Sequence, residues 1–163
     1  MFANIKMDLL FYDSPIGRLG LMGEGDSLIS LSLPYSPVPL ITERETPVLR
    51  EAKKQLEAYF AGTLRQFDLP LRLEGTPFRR KVWEQLRQIP YGQVISYGEL
   101  ARRIGQPGAA RAVGGANRHN PIAIIVPCHR VIASDGSQGG YSGNCDGSAE
   151  VKRALLALEG IYF

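Results

Sequence analysis

At residue 76 the chain changes character, and this break constrains the fold more than any other feature. Before it, apolar runs are short and punctuated by Gly, Pro, Asp and Ser. After it, apolar residues recur at helical spacing and basic residues accumulate. A chain of 163 residues holds one ordinary domain or two small ones. The break selects two, residues 1–75 and residues 76–163. With 44% hydrophobic and 21% charged residues, the composition excludes a disordered or collagen-like chain. No apolar run approaches the roughly 18 residues of a membrane span, and the N-terminus lacks the pattern of a signal peptide. The expectation is a cytoplasmic protein with no membrane partner.

The first part reads as a small α/β unit. Leu9–Tyr12, Arg18–Met22 and Leu28–Leu33 are strand-like, with turns at Asp13–Gly17 and Gly23–Ser27. After a loop carrying Pro34, Pro37 and Pro39, Thr46 and Pro47 open a helix, as N-cap and first helical residue. Val48, Leu49, Ala52, Leu56, Tyr59 and Phe60 give it an apolar stripe, and Gly62 ends it. Gln66–Leu73 reads as one returning strand. No reactive group stands out, so residues 1–75 are read as scaffold.

Thr76 and Pro77 repeat the cap-and-proline signal. The helix they open carries Phe78, Val82, Trp83 and Leu86 and stops at Pro90-Tyr91-Gly92. Ser96 and Glu99 have the spacing of a capping box, opening a short helix through Leu100, Ala101 and Ile104. Gly105–Gly108 is a tight turn, and Ala109–Asn117 a second helix. Two short helices joined by a Gly-containing turn form a helix-turn-helix candidate. Residues 1–75 carry a net charge of −2 and residues 76–163 a net charge of +5. Within Arg79–Arg118 only Glu84 and Glu99 oppose 8 basic residues. Such a surface suits an anion such as nucleic acid, although a solvated helical face would also account for it. The second helix, Ala109-Ala-Arg-Ala-Val-Gly-Gly-Ala-Asn117, is nearly bare of side chains. Gly114 and Gly115 cost about 1 kcal/mol each in a helix interior. Either insertion into a groove or tight helix packing explains them, and Arg111 is the only long side chain there.

Ile122–Val126 is an apolar run expected to be buried, and Pro127 forces an extended approach at Val126. Cys128 follows directly. An isolated cysteine is most often a small buried hydrophobe. Beside His129 and Arg130, however, the thiol sits in a positive environment that favours thiolate, which is how a cysteine nucleophile is made. The only other cysteine, Cys145, has no neighbouring histidine and reads as a loop thiol. Two cysteines and two histidines make neither a disulfide framework nor an evident zinc site. Gly136–Gly143 is a Gly-rich loop carrying Tyr141 and Ser142, without the Gly-Lys-Ser/Thr end of a phosphate-binding loop.

Several segments taken together resemble the O6-alkylguanine-DNA alkyltransferases, the methylated-DNA–protein-cysteine methyltransferases. They are Pro90-Tyr-Gly-Gln-Val-Ile-Ser-Tyr97, Ala110-Arg-Ala-Val-Gly-Gly115, Asn120-Pro121 leading to Pro127-Cys-His-Arg-Val131, Gly140-Tyr-Ser-Gly143, and Leu155-Leu156 with Glu159-Gly160. The resemblance covers Thr76–Gly160 and is loose before it. It implies an α/β (α+β) protein, with a ribonuclease-H-like domain followed by a winged-helix-type domain. It implies that Cys128 takes the alkyl group from O6 of guanine, and from O4-alkylthymine, in one irreversible step. His129 would draw the thiol proton through a water, and Glu159 would orient His129. Asn120 would tie the helix-turn-helix to the reactive turn. Tyr97 would turn the target phosphate and protonate the leaving guanine. Arg111 would replace the flipped base, while Ser96, Ala110, Gly114 and Gly115 meet the minor groove. Val131, Tyr141 and Ser142 would line the base pocket, and Ala123 stands in its wall where many relatives have proline. The implied partner is double-stranded DNA containing alkylated bases, bound by a monomer. The chemistry needs a soft nucleophile and a proton for the leaving base, and no metal or organic cofactor.

Asn117 and His119 vary in the family and are given little weight. The Asn144–Glu150 segment looks longer than is usual in it. Three other classes fit the sequence less well. A lesion-binding protein without chemistry would lack the reactive cysteine. A regulator of the same family would carry an additional four-cysteine domain. A Cys-His hydrolase would need an oxyanion loop and a third triad motif.

Overall fold

The computed structural model describes residues 7–137 and 147–163. The chain divides into two compact units, Met1–Leu73 and Glu74–Phe163.

The first unit is built on an antiparallel meander of β1 (Met7–Ser14), β2 (Gly17–Glu24) and β3 (Ser27–Ser32). Ser14 pairs with Gly17, so the β1–β2 hairpin closes over Pro15 and Ile16 alone. Gly17 takes a φ of 115°, and a Cβ there would lie 2.7 Å from Pro34, so glycine is required twice over. A bulge between Met22 and Gly23 shifts the register against β3. Helix α1 (Pro47–Phe60) starts as the sequence implies, with Thr46 accepting from the Leu49 amide at 3.4 Å. Its buried face is Val48, Leu49, Ala52, Leu56 and Tyr59. With Leu9, Leu19, Leu21, Leu28 and Leu31 from the sheet it makes the core. Each such side chain contributes about 1.5–3 kcal/mol on burial.

The returning strand expected at Gln66–Leu73 does not form a ladder. Pro70 O accepts from the Leu28 amide at 2.8 Å and Arg72 N donates back to Leu28 O at 3.0 Å, leaving one isolated bridge between Leu28 and Leu71. Pro70 has no N–H to extend the pairing.

The second unit holds α2 (Pro77–Leu86), β4 (Ile95–Ser96), α3 (Tyr97–Arg103), α4 (Ala110–Arg118), a single 3-10 turn (Cys128–Arg130), β5 (Val131–Ile132) and α5 (Ser148–Leu158). Thr76 caps α2, and Ser96 caps α3 by accepting from Glu99 N at 3.0 Å. The return half of the expected capping box is replaced. Glu99 turns instead to Arg102 at 2.6 Å and Arg103 at 3.3 Å, because guanidinium donors bind a carboxylate more strongly than one amide. Helices α3 and α4 are the expected pair, and Trp83 joins α2 to α4 by donating to Ala116 O at 2.9 Å. The apolar run Ile122–Val126 is a buried turn, in which Ile124 adopts a φ of 73°. Left-handed backbone at a β-branched residue is a strained conformation. Strands β4 and β5 run parallel, with Ile95 opposite Val131 and Ser96 opposite Ile132.

Candidate active site

The apolar run feeds Pro127 into the 3-10 turn, so Cys128, His129 and Arg130 emerge where backbone from several elements converges. Cys128 is 4% exposed, and its amide donates to Val126 O at 2.8 Å. Asn120 spans the preceding turn. Its Oδ1 accepts from Ile122 N at 3.0 Å and its Nδ2 donates to Val126 O at 2.7 Å. Asn117, on the last turn of α4, donates to the Cys128 carbonyl at 3.3 Å.

His129 is completely buried, and its Nε2 lies 2.6 Å from Glu159 Oε2. A carboxylate only accepts, so this nitrogen carries the hydrogen and Nδ1 of the neutral ring keeps the lone pair. Nδ1 is buried and has no hydrogen-bond partner among the described residues. Burial holds the imidazole pKa below its ordinary value. Glu159 pulls it upward, while the charges of Arg130 and Lys152 add to the lowering. The ring is therefore a neutral base with one free nitrogen.

Glu159 accepts from four N–H groups: His129, Arg130 Nε at 2.8 Å, Arg130 Nη2 at 3.1 Å and the Gly92 amide at 3.1 Å. Burial opposes its charge, but the His129 and Arg130 contacts outweigh that and hold the carboxyl well below the usual range. Arg130 is fixed further by donating to Ile89 O at 2.7 Å and by stacking 5.8 Å from the Tyr91 ring centre. Lys152 is fully buried on α5 and donates to Val131 O at 2.7 Å. Burial lowers its pKa to about 8, while the Cys128 charge pulls the other way.

Of the residues singled out in the sequence, Cys128, His129, Glu159, Asn120 and Val131 meet at this turn. Tyr97 begins α3 and is half-buried. Burial raises its pKa, the Cys128 charge adds to that, and Arg118 and Asn117 act in the opposite sense. Ala123 is buried in the turn before the cysteine. Arg111 is exposed on α4, and Ala110 and Ser96 are partly exposed. A Cβ built on Gly114 would only touch the Tyr97 ring at 4.0 Å, and one on Gly115 would meet nothing within 4 Å. Internal packing does not demand glycine at either place. Tyr141, Ser142 and Cys145 lie outside the described residues.

Four residues at the site carry no functional motif in the sequence. Asn117 has no distinguishing spacing, Gly92 reads as a helix stop, and Arg130 as a source of positive charge. Lys152 had a signal: it shares the i, i+3, i+4, i+7 stripe with Leu155, Leu156 and Glu159, where a solvated lysine would not sit.

Fold and site define a class: a small α/β unit followed by a helix-turn-helix unit that buries a cysteine beside a histidine hydrogen-bonded to a carboxylate. Two family models match the chain. The 6-O-methylguanine DNA methyltransferase ribonuclease-like domain covers residues 10–73, and the DNA binding domain of the same name covers residues 77–161. The methylated-DNA–protein-cysteine methyltransferase of Mycobacterium tuberculosis is 52% identical over 150 residues, spanning 90% of this chain and 88% of its own. That of Methanosarcina acetivorans is 47% identical over 153 residues, spanning 91% and 96%. The crystal structure of Mycobacterium tuberculosis OGT in complex with DNA superposes with a TM-score of 0.83 at 50% identity, covering 94% of this chain and 91% of that one. The chain belongs to the 6-O-methylguanine DNA methyltransferase family and is an enzyme of that class.

Proposed function

We propose that this protein repairs DNA by moving an alkyl group from O6-alkylguanine, or O4-alkylthymine, onto its own Cys128, once per molecule. The observation that carries the reading is the buried His129, tied to Glu159 through Nε2 and left with a free Nδ1 next to the cysteine in sequence. A free cysteine has a pKa of about 8.5 and is mostly thiol at neutral pH. His129 Nδ1 takes the thiol proton through one water, and Glu159 fixes the tautomer and steadies the imidazolium. The thiolate attacks the alkyl carbon, the C–O6 bond breaks, and its electron pair leaves with the base. The Tyr97 hydroxyl supplies the proton that neutralises the base. The S–C bond is a stable thioether, so the thiol is consumed.

The target atom is inaccessible inside a base pair, so the base is flipped out, which costs less at a damaged pair. Ser96, Tyr97, Ala110, Gly114 and Gly115 form the minor-groove face, supported by the open space at Gly115. Arg111, exposed on α4, fills the place of the flipped base. Asn120 holds the reactive turn to the DNA-binding helices. Val131, Ala123, Tyr141 and Ser142 line the base pocket. In this scheme residues 1–75 are scaffold and residues 76–163 bind DNA and accept the alkyl group. The protein works as a cytoplasmic monomer on double-stranded DNA.

The test is to incubate the protein with a duplex containing O6-methylguanine and weigh the Cys128 peptide. The expected gain is one methylene unit. Tight binding without that gain would make the protein a lesion binder rather than a repair enzyme.

A further inference from the structure

Arg130 is buried, and its guanidinium divides its donors unevenly. Nη1 goes to Ile89 O at 2.7 Å, which is all that tying the segment after α2 to the reactive turn would need. Two further donors go to Glu159, Nε to Oε1 at 2.8 Å and Nη2 to Oε2 at 3.1 Å. A fork of this kind sets a permanent positive charge against both oxygens of a carboxylate. Oε2 is also the oxygen that accepts from His129 Nε2 at 2.6 Å. Arginine and histidine therefore compete for one anion.

That competition decides what the ring can do. His129 serves as a base only while Nδ1 keeps its lone pair, and Nδ1 is buried with no partner among the described residues. A buried carboxylate with no cation beside it would draw a proton onto the imidazole, because an uncompensated buried charge is costly. With Arg130 in place the carboxylate is already matched, and Glu159, Arg130 and a neutral His129 together carry no net charge. Burial does most to keep the ring neutral; Glu159 opposes it, and the charges of Arg130 and Lys152 support it. Of the other groups near the ring, Lys152 on α5 donates to Val131 O at 2.7 Å and Cys128 is the source of the proton. Tyr91 stacks on Arg130 and donates its hydroxyl to Leu158 O at 3.1 Å. Helix α2, which packs on the turn, buries only Val82, Trp83 and Leu86, and Glu150 and Arg153 of α5 are exposed. Only the Arg130 guanidinium is bonded to Glu159 from among these side chains.

We propose that Arg130 is a positioning residue for the proton relay: by holding both oxygens of Glu159 it keeps His129 neutral, with Nδ1 empty, until the thiol proton arrives. The inference rests on the reading of Cys128 as nucleophile and His129 as its base. Glu159 has two effects that conflict. It fixes the tautomer by accepting from Nε2, yet a carboxylate so close would also fill Nδ1 in advance. Arg130 leaves the first effect intact and offsets the second. When the thiol proton reaches Nδ1 through a water, sulfur keeps the electron pair of the S–H bond, and the positive charge formed on the ring meets Glu159 at 2.6 Å. The relay starts uncharged and separates charge only in the step that makes the thiolate.

The test reads the proton on the ring directly, from the imidazole carbon resonances of the full-length protein followed by NMR through a pH titration. The only other histidine, His119, is exposed, and His119→Asn assigns the two signals. In wild type, His129 is expected to stay neutral down through the ordinary histidine value of about 6.5. Arg130→Gln keeps an amide donor and removes the charge. It is expected to raise the proton affinity of the ring by about tenfold or more, the usual effect of one close charge, and to move the acid limb of the transfer rate upward with it. Glu159→Gln is expected to move the His129 midpoint the opposite way, since the anion that attracts the proton is gone. A loss of packing alone would not give opposite shifts from the two partners of one ion pair. Arg130→Lys keeps the charge without the fork; a smaller rise is expected there, and it serves if Arg130→Gln does not fold. An unchanged midpoint in Arg130→Gln, or in Arg130→Lys where that is the variant that folds, overturns the inference. So does a raised midpoint with an unmoved acid limb. Absence of a methyl gain on Cys128 in wild type overturns the repair reading instead, a result the titration does not depend on.

Discussion

The two units handle charge in opposite ways. Among the described residues of Met1–Leu73 no buried residue is charged, and ion pairs such as Arg18–Asp13 and Arg50–Glu45 stand in solvent. In Glu74–Phe163 an apolar core is interrupted by Asn117, His129, Arg130, Ser148, Lys152 and Glu159, which are all the buried polar or charged residues among those described. Burying a charge costs several kcal/mol unless it is paired and hydrogen-bonded. The first unit avoids that cost, and the second meets it by bonding Glu159 to Arg130 and His129 and Lys152 to the Val131 carbonyl. The contrast separates a unit whose described interior is apolar from one that buries a hydrogen-bonded polar cluster.

The sharpest way to break the contrast is Cys128→Ser. It is expected to abolish transfer completely and to leave binding to undamaged duplex intact, as measured by radiolabelled methyl transfer and by fluorescence anisotropy. Loss of binding as well would mean that the thiol shapes the DNA face.

Next in size is Glu159→Gln set against Leu56→Ala. Losing one partner of a buried ion pair costs about 3–5 kcal/mol, and emptying a leucine site costs about 2–5 kcal/mol. Both variants should melt earlier. Only Glu159→Gln should slow single-turnover transfer well below the melting temperature, by about tenfold or more. Without the carboxylate the imidazole is a still weaker base, so the rate should rise only as pH approaches the thiol's own value of about 8.5. An unchanged pH–rate profile would remove Glu159 from the chemistry.

Acidification should then tell the units apart. His129 has a folded pKa below its unfolded value of about 6.5, so the unfolded chain binds its proton first and stability falls as pH drops below that value. Glu159 is also depressed, so its contribution is lost as pH falls through and below the ordinary carboxylate range. Hydrogen exchange between pH 7 and pH 5 should show amides of α5 and the Cys128 turn losing protection before those of β1–β3. Equal loss in both units would mean that the buried cluster does not govern acid stability.

Smaller effects belong to the surface. Arg111→Ala should reduce the signal of a fluorescent base analogue at the lesion more than it weakens binding. Signal equal to wild type at saturating protein would show that another group fills the stack. Asp13→Asn, which removes an exposed ion pair, should leave both melting temperature and transfer unchanged, since such pairs are weak and screened.

Much of this organisation is legible in the sequence because local signals agree with tertiary demands. Thr46-Pro47 and Thr76-Pro77 start helices where the structure starts them, and Ser96 caps α3. An ordered set of motifs singles out Cys128, His129 and Glu159, and the fold brings the last two to 2.6 Å. Gln66–Leu73 misled because β propensity says nothing of which amides are free to pair, and Pro70 has none. Arg130, Gly92 and Asn117 were missed for a different reason. Their roles lie in contacts to carbonyls and carboxylates far along the chain, and no spacing rule encodes those. The Arg130 guanidinium reaches Ile89 O, and the Gly92 amide reaches Glu159.

The shorter sheet among the described residues, β4 with β5, has a mechanical consequence. Pairing Ile95 with Val131 and Ser96 with Ile132 clamps the residue that caps α3 to the segment that leaves the Cys128–Arg130 turn. Parallel strands lie about 4.8 Å apart, and their bonds tolerate little sliding. Any pull on the start of α3 therefore reaches the thiol's own turn through a stiff two-rung linkage rather than a slack loop. The cap of α3 and the turn that holds the thiol are therefore joined as one rigid piece.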